Sequence, residues 1–199
     1  MVTPQLKELL LQSLEHERGG VLVYQTALEC VINDDLREEW TKYLEQTERH
    51  VEILSSACES FDIDPKEVTP GCNIVNHTGK SLVTAMKMAL AEGEPEAAEL
   101  VACDCVVLAE TKDHANWQLI GLCAKSLPDE IAAVLSEAHE EVEDEEDEHL
   151  YHSQGWCREL WLQALGLEAV LPPPEEEQDV KSAIAAAKAR DKSIAARKH

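Results

Sequence analysis

The stretch VEDEEDEHLYHSQGW, residues 142–156, decides how this chain is read. One helical seam runs through it in steps of three and four: Leu135, His139, Val142, Glu146, His149, Ser153, Trp156, Leu160. Glu146 and His149 interrupt that seam near its middle, and their i, i+3 spacing puts both on one face. Nine of the twelve residues from Glu137 to Glu148 are acidic, so a single glutamate here is ordinarily a solvated charge. His149 on the same face is what sets Glu146 apart. Glu145 with His152 offers a second register on the same helix.

Three further seams are interrupted in the same way. Thr3 caps a first helix, Pro4 suits its first position, and the seam Leu6, Leu10, Ser13, Glu17, Gly20, Tyr24, Ala27 runs to about Asn33. Gly19 and Gly20 inside it cost roughly 1 kcal/mol each relative to Ala, which close helix approach would offset. After the turn Asn33-Asp34-Asp35, a second helix carries Leu36, Trp40, Tyr43, Thr47, His50, Leu54. Beyond Gly93 and Pro95 a third carries Cys103, Val106, Glu110, Asp113, Trp117, Ile120. The chain turns at Ser126–Asp129, and the fourth helix is expected to run unbroken to about Leu165, with Gly166 as its C-cap.

Residues 62–79 carry Pro65, Pro70, Gly71 and Gly79 and read as irregular chain, followed by a short amphipathic helix over roughly 80–91. Two tight turns and one link of about 30 residues predict two antiparallel hairpins. The expected fold is all-α: an antiparallel four-helix bundle over residues 1–170, with one long crossover between helices 2 and 3 carrying the short extra helix. Residues 171–199, Pro/Glu-rich and then Ala/Lys-rich, are expected as a flexible tail with little to bury.

The interruptions share one height. A helix rises ~1.5 Å per residue, so distance from a common turn fixes level. Glu17 lies about 17 residues before the first turn, and Thr47 and His50 about 13 to 16 after it. Glu110 and Asp113 lie about 15 to 18 before the second turn, and Glu146 and His149 about 18 to 21 after it. One layer of the core therefore receives carboxylates from helices 1, 3 and 4 and imidazoles from helices 2 and 4. Such a layer is expensive unless something compensates it, and a pair of metal ions would do so.

On these residues the chain resembles the ferritin-like di-metal carboxylate superfamily over roughly residues 4–165. Glu17 with Tyr24 resembles that family's first-helix glutamate and companion tyrosine. Glu146-Asp-Glu-His149 matches its E-x-x-H motif on the fourth helix, and Glu110 sits where the third helix supplies a glutamate. The resemblance implies metal ligands Glu17, His50, Glu110, Asp113, Glu146 and His149, two iron or two manganese ions, and reaction with O2 or peroxide. Tyr24 would be a hydrogen-bond donor or redox-active phenol beside them. Helix 2 departs from the pattern, because Thr47 stands where E-x-x-H with His50 requires a glutamate. Asp113, one turn after Glu110, would restore the carboxylate count. Helix 3 with paired acids and helix 2 reading Gln-Thr-Glu-Arg-His also resemble a stress-associated bacterial branch with variant ligands.

Composition narrows the function classes. A formal charge of −23 argues against nucleic acid and anionic membranes, and favours cations as partners. The first ten residues show no signal pattern and no apolar run approaches the ~20 residues of a span, so a cytoplasmic protein is expected, with homo-oligomerisation left open. Seven cysteines without a C-x-x-C pair read as small core residues in a reducing compartment. Two readings follow: a di-metal protein that oxidises Fe2+ or breaks down peroxide, or a metal-free degenerate bundle acting as a stress-response or protein-interaction module.

Overall fold

Capping residues set the starts of three long helices. Thr3 accepts from the Leu6 amide at 3.2 Å to open α1 (Pro4–Cys30). Asn33 accepts from Leu36 N–H at 3.1 Å to open α2 (Asp34–Ser60), whose first turn carries Asp34 and Asp35 at the positive end of the helix dipole. Thr69 accepts from Cys72 N–H at 3.1 Å, with Pro70 behind it, and opens α3 (Pro70–Glu92). The remaining helices are α4 (Pro95–Ser126), α5 (Asp129–Glu140), α6 (Glu143–Ala164), α7 (Pro174–Glu177) and α8 (Ala183–Ala196). This computed structural model describes residues 2–196 and shows no strand among them. No described helix is long and apolar enough to cross a membrane.

Three expectations need correction. The crossover helix is 23 residues long and begins at Pro70, so much of the segment expected as irregular is helical. Gly71 and Gly79 do not break it; both face α1. A Cβ on Gly71 would meet Gln12 and Glu8 side-chain atoms at 2.2 Å, and one on Gly79 would lie 3.6 Å from the Cα of Gly19. The fourth helix is divided at Glu141–Val142 into α5 and α6. The restart places Glu143, Asp144, Glu145 and Glu146 in a new first turn, where free amides and the dipole favour acidic side chains. The third correction concerns the tail. After Gly166 turns the chain with φ 71°, the segment returns along α6. Val170 N–H donates to Glu159 at 2.9 Å, and Arg158 forks onto both oxygens of buried Glu175 at 2.7 and 2.8 Å. Lys181 reaches Glu148 at 2.9 Å. Residues 197–199 of the predicted tail lie outside the described residues.

Helix α1 packs against α2, α3 and α4, and α4 packs against α5 and α6. The apolar core falls into two clusters. One gathers Val23, Tyr24, Leu36, Trp40, Tyr43 and Trp156. The other gathers Leu10, Leu14, Leu54, Trp117, Ile120 and Leu135. On α1, α2, α4 and α6 the polar residues singled out in the sequence lie between the two. All seven cysteines are free, and Cys30, Cys58, Cys72, Cys103 and Cys105 are buried, consistent with core packing.

Buried Glu99 of α4 reaches the α1–α2 turn and accepts from the amides of Ile32 and Asn33 at 2.8 and 2.7 Å. It ties the first hairpin to the second far from the polar layer. Glu99→Ala leaves two amides without their acceptor and is expected to cost about 1–3 kcal/mol in urea unfolding while leaving metal content unchanged. A loss below about 0.5 kcal/mol would show that the turn does not depend on this carboxylate.

Candidate metal centre

Each helix delivers its side chains where the seam predicts. Glu17, Thr47, His50, Glu110, Asp113, Glu146 and His149 are all buried, none more than 4 % exposed. Ligand atoms of Glu17, His50 and Glu146 lie within 4.8 Å of one another, and so do those of Glu110, Glu146 and His149. Two atoms bound to one ion at about 2.1 Å sit at most about 4.2 Å apart, so each set is close to the size of a single-ion site. Glu146 belongs to both sets and lies between them. His50 Nδ1 is 3.1 Å from Glu146 and 3.6 Å from Glu17; His149 Nδ1 is 3.6 Å from Glu110 and 3.8 Å from Glu146.

The two imidazoles are held alike. His50 Nε2 contacts Glu145 at 2.9 Å, and His149 Nε2 contacts the Gln46 carboxamide oxygen at 2.9 Å. An acceptor at Nε2 puts the proton there and leaves Nδ1 as a lone pair aimed at the carboxylates. The partner comes from the opposite helix each time: Glu145 of α6 for His50 of α2, and Gln46 of α2 for His149 of α6. Sequence reading missed these roles. Their signal is the residue immediately before Thr47 and before Glu146, which the i, i+3 spacing alone does not pick out. The alternative register of Glu145 with His152 is not adopted, since His152 Nδ1 bonds the Tyr43 hydroxyl at 3.0 Å.

Many of the inward atoms have no partner. Glu17 Oε2, Glu110 Oε2, Asp113 Oδ1, His50 Nδ1 and both oxygens of Glu146 lack hydrogen bonds. The other Glu17 oxygen accepts from Trp117 Nε1 at 2.7 Å, which orients that carboxylate. Burial, then the charges of Asp113 and its neighbours, pushes the Glu17 and Glu146 carboxyls well above the usual range. Asp113 is raised as well, chiefly by burial. Burial also opposes ionised Glu110, but the adjacent His149 outweighs it and lowers its pKa. Burial disfavours charged His50, but the Glu145 hydrogen bond and the charges of Glu17 and Asp113 outweigh that and raise it. One proton shared between Glu146 and His50 Nδ1, 3.1 Å apart, would satisfy that pair but leaves the second Glu146 oxygen and those of Glu110 and Asp113 without a hydrogen bond. Oxygen and imidazole donors converging without Lys or Arg fit first-row divalent ions.

Two predicted residues behave differently from the rest. Asp113 is buried beside Glu17 but belongs to neither three-ligand set. Thr47 Oγ1 donates to the Tyr43 carbonyl at 2.8 Å, so its hydroxyl is spent on its own helix. Its methyl faces Gly20, where an added Cβ would lie 3.2 Å away, so the α1–α2 approach at this height needs the glycine. Tyr24 is fully buried next to Glu110, and burial raises its pKa well above the usual phenol value. The rings of Tyr24 and Tyr43 flank His149, with centroids 6.1 and 4.3 Å away.

Comparison with known proteins finds no matching family model, no matching curated protein and no matching solved structure.

The raised carboxyls make a signed prediction for the metal-free chain. Glu17, Glu146 and His50 hold protons in the folded state that the unfolded chain releases. The glutamates' contribution to stability is complete below the ordinary value of 4.5 and is lost as pH rises through their raised folded values. Glu145, lowered to about 2 by His50 and Arg49 against the effect of burial, has the opposite sign and loses its contribution only as pH falls toward that value. The melting temperature of chelated protein is therefore expected to fall as pH rises above about 5. Glu146→Gln should raise the metal-free stability near pH 8 by on the order of 1 kcal/mol, about 2–4 °C for a chain of this size. Calorimetry at several pH values checks both, and a metal-free Glu146→Gln protein no more stable than the parent contradicts them.

Proposed function

We propose that this chain is a ferritin-like protein that binds two iron or two manganese ions in its core and reacts with O2 or peroxide, oxidising Fe2+ or detoxifying peroxide. The observation that carries this reading is Glu146, buried, with neither oxygen partnered, shared by two three-residue sets that each contain a further glutamate and a histidine. The all-helical packing of α1, α2, α4 and α6 around these sets supports the reading.

The chain's own residues divide the work. Glu17 with His50 would hold one ion, Glu110 with His149 the other, and Glu146 would bridge them. Asp113 brings the carboxylates to four, which balances two divalent cations. Glu145 and Gln46 fix the tautomers that present Nδ1, and Trp117 orients Glu17. Tyr24, kept neutral by burial, lies beside Glu110 with its hydroxyl free of any hydrogen bond. When bound, the ions supply redox chemistry toward O2 or peroxide. Metal binding displaces the protons held by Glu17, Glu146 and His50, so loading should acidify weakly buffered solution.

Thr47 favours a second reading. Its hydroxyl is bonded within α2 and leaves one bridging position of the layer without a carboxylate. On that reading the bundle is metal-free and acts through its acidic surface as an interaction module.

Metal analysis of untagged protein separates the two. The first reading expects about two ions per chain, unchanged in Thr47→Ala and reduced toward one in Asp113→Asn, where the Glu17–His50 half loses its neighbouring charge. Fe2+ oxidation by the parent should exceed that of Glu146→Gln. A parent that holds no metal when offered Fe2+ or Mn2+ supports the degenerate bundle.

A further inference from the structure

A cavity of about 360 Å³ lies between α4, the start of α6 and the returning segment at residues 182–184. Its lining includes Trp117 and Glu146 of the polar layer. Glu146 is 1 % exposed and unpartnered, so a bare buried carboxylate borders a hollow that opens toward solvent. Two imidazole–carboxylate pairs share the same hollow. His114 Nδ1 is 3.5 Å from Asp147, and His139 Nδ1 is 3.5 Å from Glu143. The His139 ring is seated against α4 at Gly121, where a Cβ would come within 2.4 Å of Nε2. Any other residue at 121 would displace the ring.

We infer that this cavity is the entry vestibule for divalent cations, and that the His114–Asp147 and His139–Glu143 pairs hold them in transit to Glu146. The inference rests on the metal-centre reading above. A water occupies about 30 Å³ of liquid, so the space takes a cation with part of its hydration shell. Imidazole and carboxylate are ligands a first-row divalent ion accepts, yet each pair offers two, fewer than a closed site uses. An ion is therefore held weakly enough to move on. Glu143 and Asp147 put negative charge on the lining itself, which concentrates cations there. The other hollow near the layer, about 400 Å³ between α1, α3 and α4, suits cations less well. It is walled largely by Val23, Leu82, Leu108 and glycines, and its His16 Nε2 is engaged by the Ala109 carbonyl at 3.0 Å.

Stopped-flow loading of the full chain with Co2+, followed by its visible absorption, tests the route. The variants are Glu143→Gln, at an exposed position that leaves folding intact, and the double variant His114→Gln/Asp147→Asn, with folding checked by circular dichroism. Both are expected to reach the parent's Co2+ stoichiometry but to load about tenfold more slowly at low ionic strength, with the difference shrinking in salt. Loading rates within twofold of the parent overturn the vestibule and leave the centre standing. Lower stoichiometry at an unchanged rate also overturns it, because these residues would then be ligands rather than a path. A parent that binds no Co2+ overturns the centre and the route together.

Discussion

Four carboxylates share one buried layer without a lysine or arginine, and the rest of the molecule is arranged around that fact. Each ionised carboxylate moved from water into such a core costs several kcal/mol when nothing of opposite charge meets it. Apolar clusters lie on either side of the layer and keep its side chains buried. Three responses are open to the chain: hold protons on the carboxyls, recruit His50 as a cation, or bind metal. The raised pKa values of Glu17, Glu146 and His50 show the first two at work, and the unpartnered oxygens of Glu146 show that they are incomplete.

Two of the four helices that build the layer hold their histidines in the same way. Gln46-Thr47 with His50 on α2 faces Glu145-Glu146 with His149 on α6, and each helix's leading residue holds the other's histidine. The histidine supports are intact on both sides. The supports differ in charge, Gln46 against Glu145, and the next position carries threonine on α2 and glutamate on α6. A lost centre has no need to keep both supports, Trp117 on Glu17 and a glycine opposite Thr47. Their joint presence supports the proposed centre over a degenerate bundle.

Much of this was legible in the sequence because helix period and turn length are local signals. The seams through Glu17, His50, Glu110 and Glu146 each placed a polar residue correctly, and counting residues from two short turns placed them at one height. What escaped was set by contacts between helices. Gly71 and Gly79 look like breakers, but both lie inside α3 on the side that packs against α1. The division at Val142 hides inside an unbroken apolar seam, and it is favoured by an acidic first turn that composition alone reads as surface charge. Docking of the segment after Pro172 depends on Arg158 meeting Glu175, a pairing that nothing in the local sequence announces. Within the site, Gln46 and Glu145 act through neighbours on another helix, and Asp113 lies beside the ligand sets rather than in them.

The most direct test is anomalous diffraction from crystals of the untagged protein grown with Fe2+ or Mn2+, with data collected at the metal's absorption edge. Two-metal carboxylate sites hold their ions ~3.5–4 Å apart. The account predicts two peaks at about that separation on either side of the Glu146 carboxylate, one beside His50 Nδ1 and one beside His149 Nδ1. Peaks confined to surface acidic residues, with none near Glu146, would contradict it.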